Sequence, residues 1–193
     1  MLSPIQSALI YALRQGPLGR RTLVSRLGIG ESTVRTQLEK LRAAGYMSMA
    51  KAGTSLTAAG QELLQGQLRK ISQVGPLQLS ELALDRWNSA ALIAEAQDSL
   101  SEVWRYRDLA VRAGASGALF LVRGPSYWHL SDDARSLEQH NPRDAREIEA
   151  RYPARPGDGL VITFSDRVAP AGLALWEILT ALIGNLPTVR KRS

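Results

Sequence analysis

Cysteine is absent from the 193-residue chain, which excludes a disulfide framework, thiolate chemistry and a cysteine-based zinc site. Histidine is nearly absent: His129 and His140 stand on separate elements, without the spacing of a zinc motif. No apolar run approaches the ~18 residues a membrane span needs, so no membrane association is expected. The opening MLSPIQSALIYALRQG is interrupted by Gln6 and Arg14 and lacks a basic leader, so no signal peptide is expected and a cytoplasmic location follows. There is no Ser-His-Asp ordering and no nucleophile elbow, so the chain reads as no enzyme, with no metal and no cofactor required. Acid is scarce at the start of the chain. Residues 1–75 carry ten lysines and arginines against only Glu31, Glu39 and Glu62, a net of +7 within an overall +6. Basic charge gathered in one small region is an electrostatic footprint for a polyanion.

What is present is a 45% hydrophobic composition, enough for a packed core, and a periodic N-terminal third. Residues 4–15 predict a first helix, with Pro4 in its first turn and Ile5, Leu9 and Leu13 stepping by four. GRRTLVSRLGIGESTVRTQLEKLRAAG, Gly19 to Gly45, predicts two helices and a tight turn. Leu23, Val24 and Leu27 make one apolar face. Gly28 breaks it, and a bulky residue at Gly30 is expected to fit the turn poorly. The next helix is expected from Glu31, with Ser32 and Thr33 at its start and Val34, Leu38 and Leu41 as its buried stripe. Gly45 supplies the stop. Tyr46 to Ala50 alternates as a strand, Lys51-Ala52-Gly53 is a hairpin tip, and Thr54 to Leu56 returns. Thr57 caps a further helix running to about Ile71.

Helix–helix–helix–strand–strand–helix is the order of a winged helix. The outward residues of the third helix are Ser32, Thr33, Arg35, Thr36, Glu39 and Lys40. Hydroxyls followed by an arginine and a lysine suit a helix entering a major groove, with Arg35 able to reach a guanine edge. Arg20 and Arg21 are placed to hold phosphate, and Lys51 and Gly53 to touch the backbone from the wing. The candidate DNA-binding set is therefore Arg20, Arg21, Ser32, Thr33, Arg35, Thr36, Lys40, Lys51 and Gly53, with double-stranded DNA as partner.

A Gly-Pro pair within Gln73–Pro76 marks a candidate boundary, giving a winged-helix domain over 1–72 and an α+β domain over 77–186. A basic tail over 187–193, with Arg190, Lys191 and Arg192, is expected to be disordered. Leu77, Leu79, Leu82 and Leu84 predict a short strand or two, with Trp87 and Asn88 in a turn before a strand at Ala90–Ala96. A helix is expected over Ser101–Ala113, strands at Gly117–Val122 and Tyr127–Leu130, and a helix from Asn141-Pro142 to about Tyr152. A buried strand at Leu160–Phe164 and a helix over Ala169–Ile183 complete the domain. The mixture predicts an antiparallel or mixed sheet with helices on one face. The last helix is apolar nearly all round, so it is either central to its domain or pairs with a copy of itself in a homodimer. Core is the default place for Trp87, Trp104, Trp128 and Trp176.

The loop Gly114-Ala115-Ser116-Gly117 joins a helix to a buried strand, and small residues there let a ligand approach the backbone. Were it to bind an anionic small-molecule effector, Arg105, Arg107, Arg112 and Arg123 are the candidate clamps, with Gly114 and Ser116. The plain alternative is a tight turn beside a solvated helix face. Asp132-Asp133 reads as a solvated acidic turn.

LTAAG at Leu56–Gly60 resembles the exit from the wing in MarR-like winged-helix regulators. The whole chain resembles an archaeal family of uncharacterised winged-helix proteins with a C-terminal domain of unknown function. The matching stretches are Gly19–Gly45, LTAAG, RDLAVRAGASGALFLV at Arg107–Val122 and GDGLVITFSD at Gly157–Asp166. The resemblance implies a transcriptional regulator and assigns no ligand. Two rival readings are a metabolite-acting enzyme with a fused winged helix, and a winged helix used as a protein–protein module.

Overall fold

A computed structural model describes residues 2–185; the basic tail lies outside the described residues. Helix α1 (Pro4–Ala12) begins with a reciprocal cap in which Ser3 and Gln6 each accept the other's backbone N–H, at 3.3 and 2.9 Å. The helix has two buried faces. Leu9, Ile10 and Ala12 point into one core, Ala8 and Tyr11 into another. A 3-10 turn at Leu13–Gln15 follows, then α2 (Arg20–Leu27) and α3 (Glu31–Ala43). Val34, Leu38 and Leu41 are buried as the spacing predicts, against Leu9, Ile10, Leu23 and Met47. Gly28 carries the turn between α2 and α3 at φ +65°. Gly30 does not need to be glycine: its φ is −59°, and a Cβ there would meet nothing. The Ser32 and Thr33 hydroxyls make no cap, since Gly30 is the capping residue.

Strands β1 (Met47–Ala50) and β2 (Gly53–Leu56) pair antiparallel, the hairpin expected as a wing. Leu18 extends it, exchanging backbone hydrogen bonds with Thr54 at 3.0 and 2.9 Å. Helix α4 (Ala58–Leu68) is capped by Thr57, whose hydroxyl accepts the Gly60 N–H at 3.2 Å and donates to the Gly45 carbonyl at 2.6 Å. A Cβ on Gly60 would meet the Tyr46 carbonyl oxygen well inside contact distance, so α4 crosses the start of the wing with no room for a methyl. Gly60→Ala is therefore expected to destabilise by at least about 2 kcal/mol, whereas an open helical glycine would gain up to about 1 kcal/mol. Urea unfolding of the variant measures the sign.

Helix α4 stops three residues before Ile71, which instead opens β3 (Ile71–Gly75). The expected boundary at Gln73–Pro76 is thus mostly strand: β3 is an edge of the second sheet and leads directly from α4 into it. Five antiparallel strands run in the order β3, β4 (Trp87–Ile93), β7 (Gly159–Ser165), β5 (Gly117–Arg123), β6 (Trp128–Leu130). The leucines 77–84 form no strand. They are a strap, with Leu77 buried and Leu79 and Leu82 packed on the sheet. Trp87 and Asn88 begin β4 rather than a turn.

Both faces of the sheet are covered, not one. Alternate residues of β4, β5 and β7 face α5 (Val103–Arg112) and α8 (Val168–Asn185) on one side. The intervening residues face α6 (Leu137–His140), α7 (Pro142–Arg151) and the strap on the other. Central β7 is buried along its whole length.

Helix α8 explains its own apolar circumference. One side lies on β4 and β7, and another receives Ala8 and Tyr11 of α1, with Tyr11 and Trp176 rings 5.4 Å apart. Leu173 reaches the N-terminal core, and a Cβ on Gly28 would lie 2.9 Å from that of Ala169. Of the two places expected for this helix, the central one accounts for these faces. Trp128 and Trp176 are core residues, but Trp87 and Trp104 are 43% and 63% exposed, against the expectation of core for all four.

Candidate nucleic-acid interface

Helix α3 packs only its stripe of Val34, Leu38 and Leu41, so its opposite face is open. Ser32, Arg35, Thr36, Glu39, Lys40 and Arg42 are exposed, and Thr33 is half-buried. At 3.6 residues per turn this set covers much of the helix circumference. Thr36 lies near its middle with Ser32 and Glu39. Arg35 and Arg42 fall on one flank, and Lys40 lies about 140° round from Arg35 on the other.

The two flanks meet different neighbours. Arg35 and Arg42 share a small depression with Arg20 of α2 and Met49 of the wing. Arg42 reaches the Met49 sulfur at 3.8 Å. Lys40 borders a hollow with Gln6, Tyr46 and Leu63 instead. The structure thus groups Arg20, Arg35 and Arg42 and sets Lys40 apart. Arg42 is absent from the sequence-derived set. Its signal is the i+7 spacing from Arg35, hidden because position 42 falls in the helix's last turn.

The arginines are only loosely tied. Arg20 meets Glu31 at 3.0 Å and Arg35 meets Glu39 at 4.0 Å, all four side chains more than 40% exposed. Such surface pairs contribute about 0–1 kcal/mol, so a phosphate can displace the carboxylate. Arg21 and Lys51 are exposed, Lys51 at the wing tip. Gly53 has a structural requirement of its own. At φ +121° it lies against the Leu18 carbonyl, where a Cβ would come within 2.8 Å.

The candidate effector residues do not converge. Arg105 pairs with Glu102 at 3.4 Å and Arg107 with Asp132 at 2.9 Å, while Arg112 is exposed at the end of α5. Arg123 points to the other face of the sheet, toward Glu149 of α7 at 3.6 Å. The strand's alternation puts the α5 arginines and Arg123 on opposite sides. Gly114 ends α5 at φ +95°, and the Ser116 hydroxyl donates to Asp85, so this loop is a helix-to-strand turn with its hydroxyl engaged. Of the acidic pair, Asp132 holds Arg107 and Asp133 is bound by Arg135, whose hydrogen bonds hold its carboxyl down at about 2. His129 is half-buried, its Nδ1 2.9 Å from the Leu130 carbonyl. Among the described residues no three His, Asp or Glu side chains gather as a metal site, and no helix is long and apolar enough to cross a membrane.

Residues 8–71 match the family model described as the CggR N-terminal DNA-binding domain. Residues 84–182, just over half of the chain, match the domain of unknown function DUF4443. No curated protein matches. A solved structure of a hypothetical protein from Pyrococcus horikoshii OT3 is similar over 94% of this chain and 93% of that one, with a TM-score of 0.73 and 24% sequence identity. At that identity the likeness shows a shared fold.

Proposed function

The chain belongs to the family of the domain of unknown function DUF4443, and we propose that within it this protein is a transcriptional regulator that reads duplex DNA with its winged helix. The observation that carries the reading is the open face of α3 with Arg20, Arg35 and Arg42 beside the wing, in a region matched by a DNA-binding domain family. In this reading Ser32 and Thr36 line the groove-facing middle of α3, and Arg35 reaches a base edge. Thr33 and Lys40 approach one phosphate strand, and Arg20, Arg21 and Arg42 approach the other. Lys51 extends the wing to the neighbouring backbone. The second domain positions the head, through α8, rather than supplying a catalytic set. Dimerisation would present two heads to paired half-sites, on a surface other than the covered sides of α8. An archaeal source belongs to the same reading and is supported by the Pyrococcus neighbour.

Lys51→Ala separates phosphate from base contacts. It is expected to weaken specific and random duplexes by the same factor and to lower the slope of log K against log salt by about 1. Fluorescence anisotropy over a salt series measures both. Unequal loss on the two duplexes would move Lys51 from backbone to base contact.

A further inference from the structure

A cavity of about 390 Å3 lies at the seam between the head and the second domain. It is walled by α1 and the end of α2 on one side, and by β3, the start of β4 and α8 on the other. That volume falls within the roughly 300–1,000 Å3 of small-molecule pockets. Its walls are mainly apolar, with three aromatic rings: Tyr11, Trp87 and Trp176. Two arginines border it, Arg14 and Arg26, and no carboxylate does. Among the described residues neither arginine makes an ion pair. Arg14 stacks 4.2 Å from the Tyr11 ring centroid, and a further cation, Arg86, lies 5.5 Å from that of Trp87. Burial raises the Tyr11 hydroxyl's pKa, so the phenol stays neutral and does not oppose an anion. Trp87 is unusually exposed for an indole beside a core, and this cavity is what it faces.

We propose that this cavity binds a small organic anion with a flat, apolar body, its ring between the aromatic walls and its carboxylate, sulfonate or phosphate on Arg14 and Arg26. The cationic rim and aromatic lining make the two halves of such a molecule complementary to the two halves of the site. It is a different place from the α5 arginines. Its position gives it a lever on the head. Arg26 and Leu27 lie in the last turn of α2, just before the Gly28 turn that touches Ala169 and leads into α3. An occupant wedged between α2 and α8 therefore acts on the contact that fixes the recognition helix. This regulatory consequence rests on the DNA-binding reading; the binding site itself does not.

The test uses the full chain and the anionic aromatic probe 8-anilinonaphthalene-1-sulfonate, excited through tryptophan so that energy transfer from Trp87 and Trp176 reports occupancy. Saturable binding at one site is expected. Gly172 lines the cavity, and a Cβ there meets nothing, so Gly172→Leu enters the space from a helical position whose first side-chain atom is unobstructed. That variant is expected to keep the wild-type melting transition and lose at least about tenfold in probe affinity. Arg14→Ala with Arg26→Ala is expected to lose about tenfold, the equivalent of one good charge contact. Arg105→Ala with Arg107→Ala should change nothing. Unchanged probe affinity in folded Gly172→Leu overturns the site, as does equal loss in the α5 double variant. With DNA added, saturating probe is expected to shift the wild-type dissociation constant by threefold or more, roughly 0.7 kcal/mol, and leave Gly172→Leu unmoved. If no duplex binds the chain with or without probe, the DNA-binding reading fails while the probe titration alone still decides the cavity.

Discussion

Arg35→Ala is expected to abolish discrimination at one base pair of the recognised sequence, a loss of about 1–3 kcal/mol on the specific duplex and little on a random one. The asymmetry follows from geometry. Arg35 is 61% exposed on the open face of α3, held only by a 4.0 Å contact with Glu39. Its removal uncovers no core and orphans no buried group, so a selective loss cannot be ascribed to misfolding. A guanidinium on a guanine edge makes two directed hydrogen bonds that a different base cannot accept, whereas a phosphate contact is indifferent to sequence. Paired anisotropy titrations on selected and scrambled duplexes measure the effect. Equal losses on both would reassign Arg35 to the phosphate backbone. In that case the hydroxyls of Ser32 and Thr36, nearer the middle of the open face, would be left to read the bases.

The largest stability effect is expected far from the head. Asp144, in the first turn of α7, is buried, and its carboxylate accepts the backbone N–H groups of Ser80, Glu81 and Leu82 at 2.9, 2.8 and 2.7 Å, and the Ser80 hydroxyl at 3.1 Å. It fastens the leucine strap to α7. Alanine would remove all four hydrogen bonds and leave the Ser80, Glu81 and Leu82 N–H groups, on exposed or half-buried residues, to water. A hydrogen bond to a charged group contributes about 1.5–3 kcal/mol, partly recovered as the freed donors turn to water, so Asp144→Ala should lose roughly 3–5 kcal/mol and lower Tm by roughly 10 °C. Asparagine keeps one accepting oxygen and should lose about half as much. Chemical and thermal unfolding measure both, and a loss below about 1 kcal/mol for alanine would mean that the strap is held by its leucines instead.

These two residues mark what was and was not legible in the chain. The head could be read because its signals are local. Val34, Leu38 and Leu41 repeat within one helix, and Thr57 and Gly60 form a cap within four residues. The exposed flank is then whatever the stripe leaves over. How that flank divides was not legible. Arg35 joins Arg20 and Arg42 only because α2 and the wing flank it on one side, and Lys40 is separated by helical rotation. In the second domain the signals are long-range. Leu77, Leu79, Leu82 and Leu84 look like a strand, but pairing there is taken by Ile71–Gly75, whose pattern continues that of α4 until Lys70 turns the chain. Asp144 looks like any acidic residue in a helix's first turn, and its partners stand more than sixty positions upstream. The coverage of both sheet faces did have a sequence signal. The run Leu160–Phe164, apolar but for Thr163, belongs to a strand buried on both sides, and a sheet with one wet face would have shown alternation.

Affinity selection from a random duplex library by the full-length chain, at low salt and again near physiological salt, tests the central claim most directly. The account predicts enrichment of one short motif that survives the higher salt and disappears when Arg35→Ala is selected in parallel. Recovery of unenriched sequence at both salt concentrations, or of the same motif by Arg35→Ala at the same strength, would contradict it.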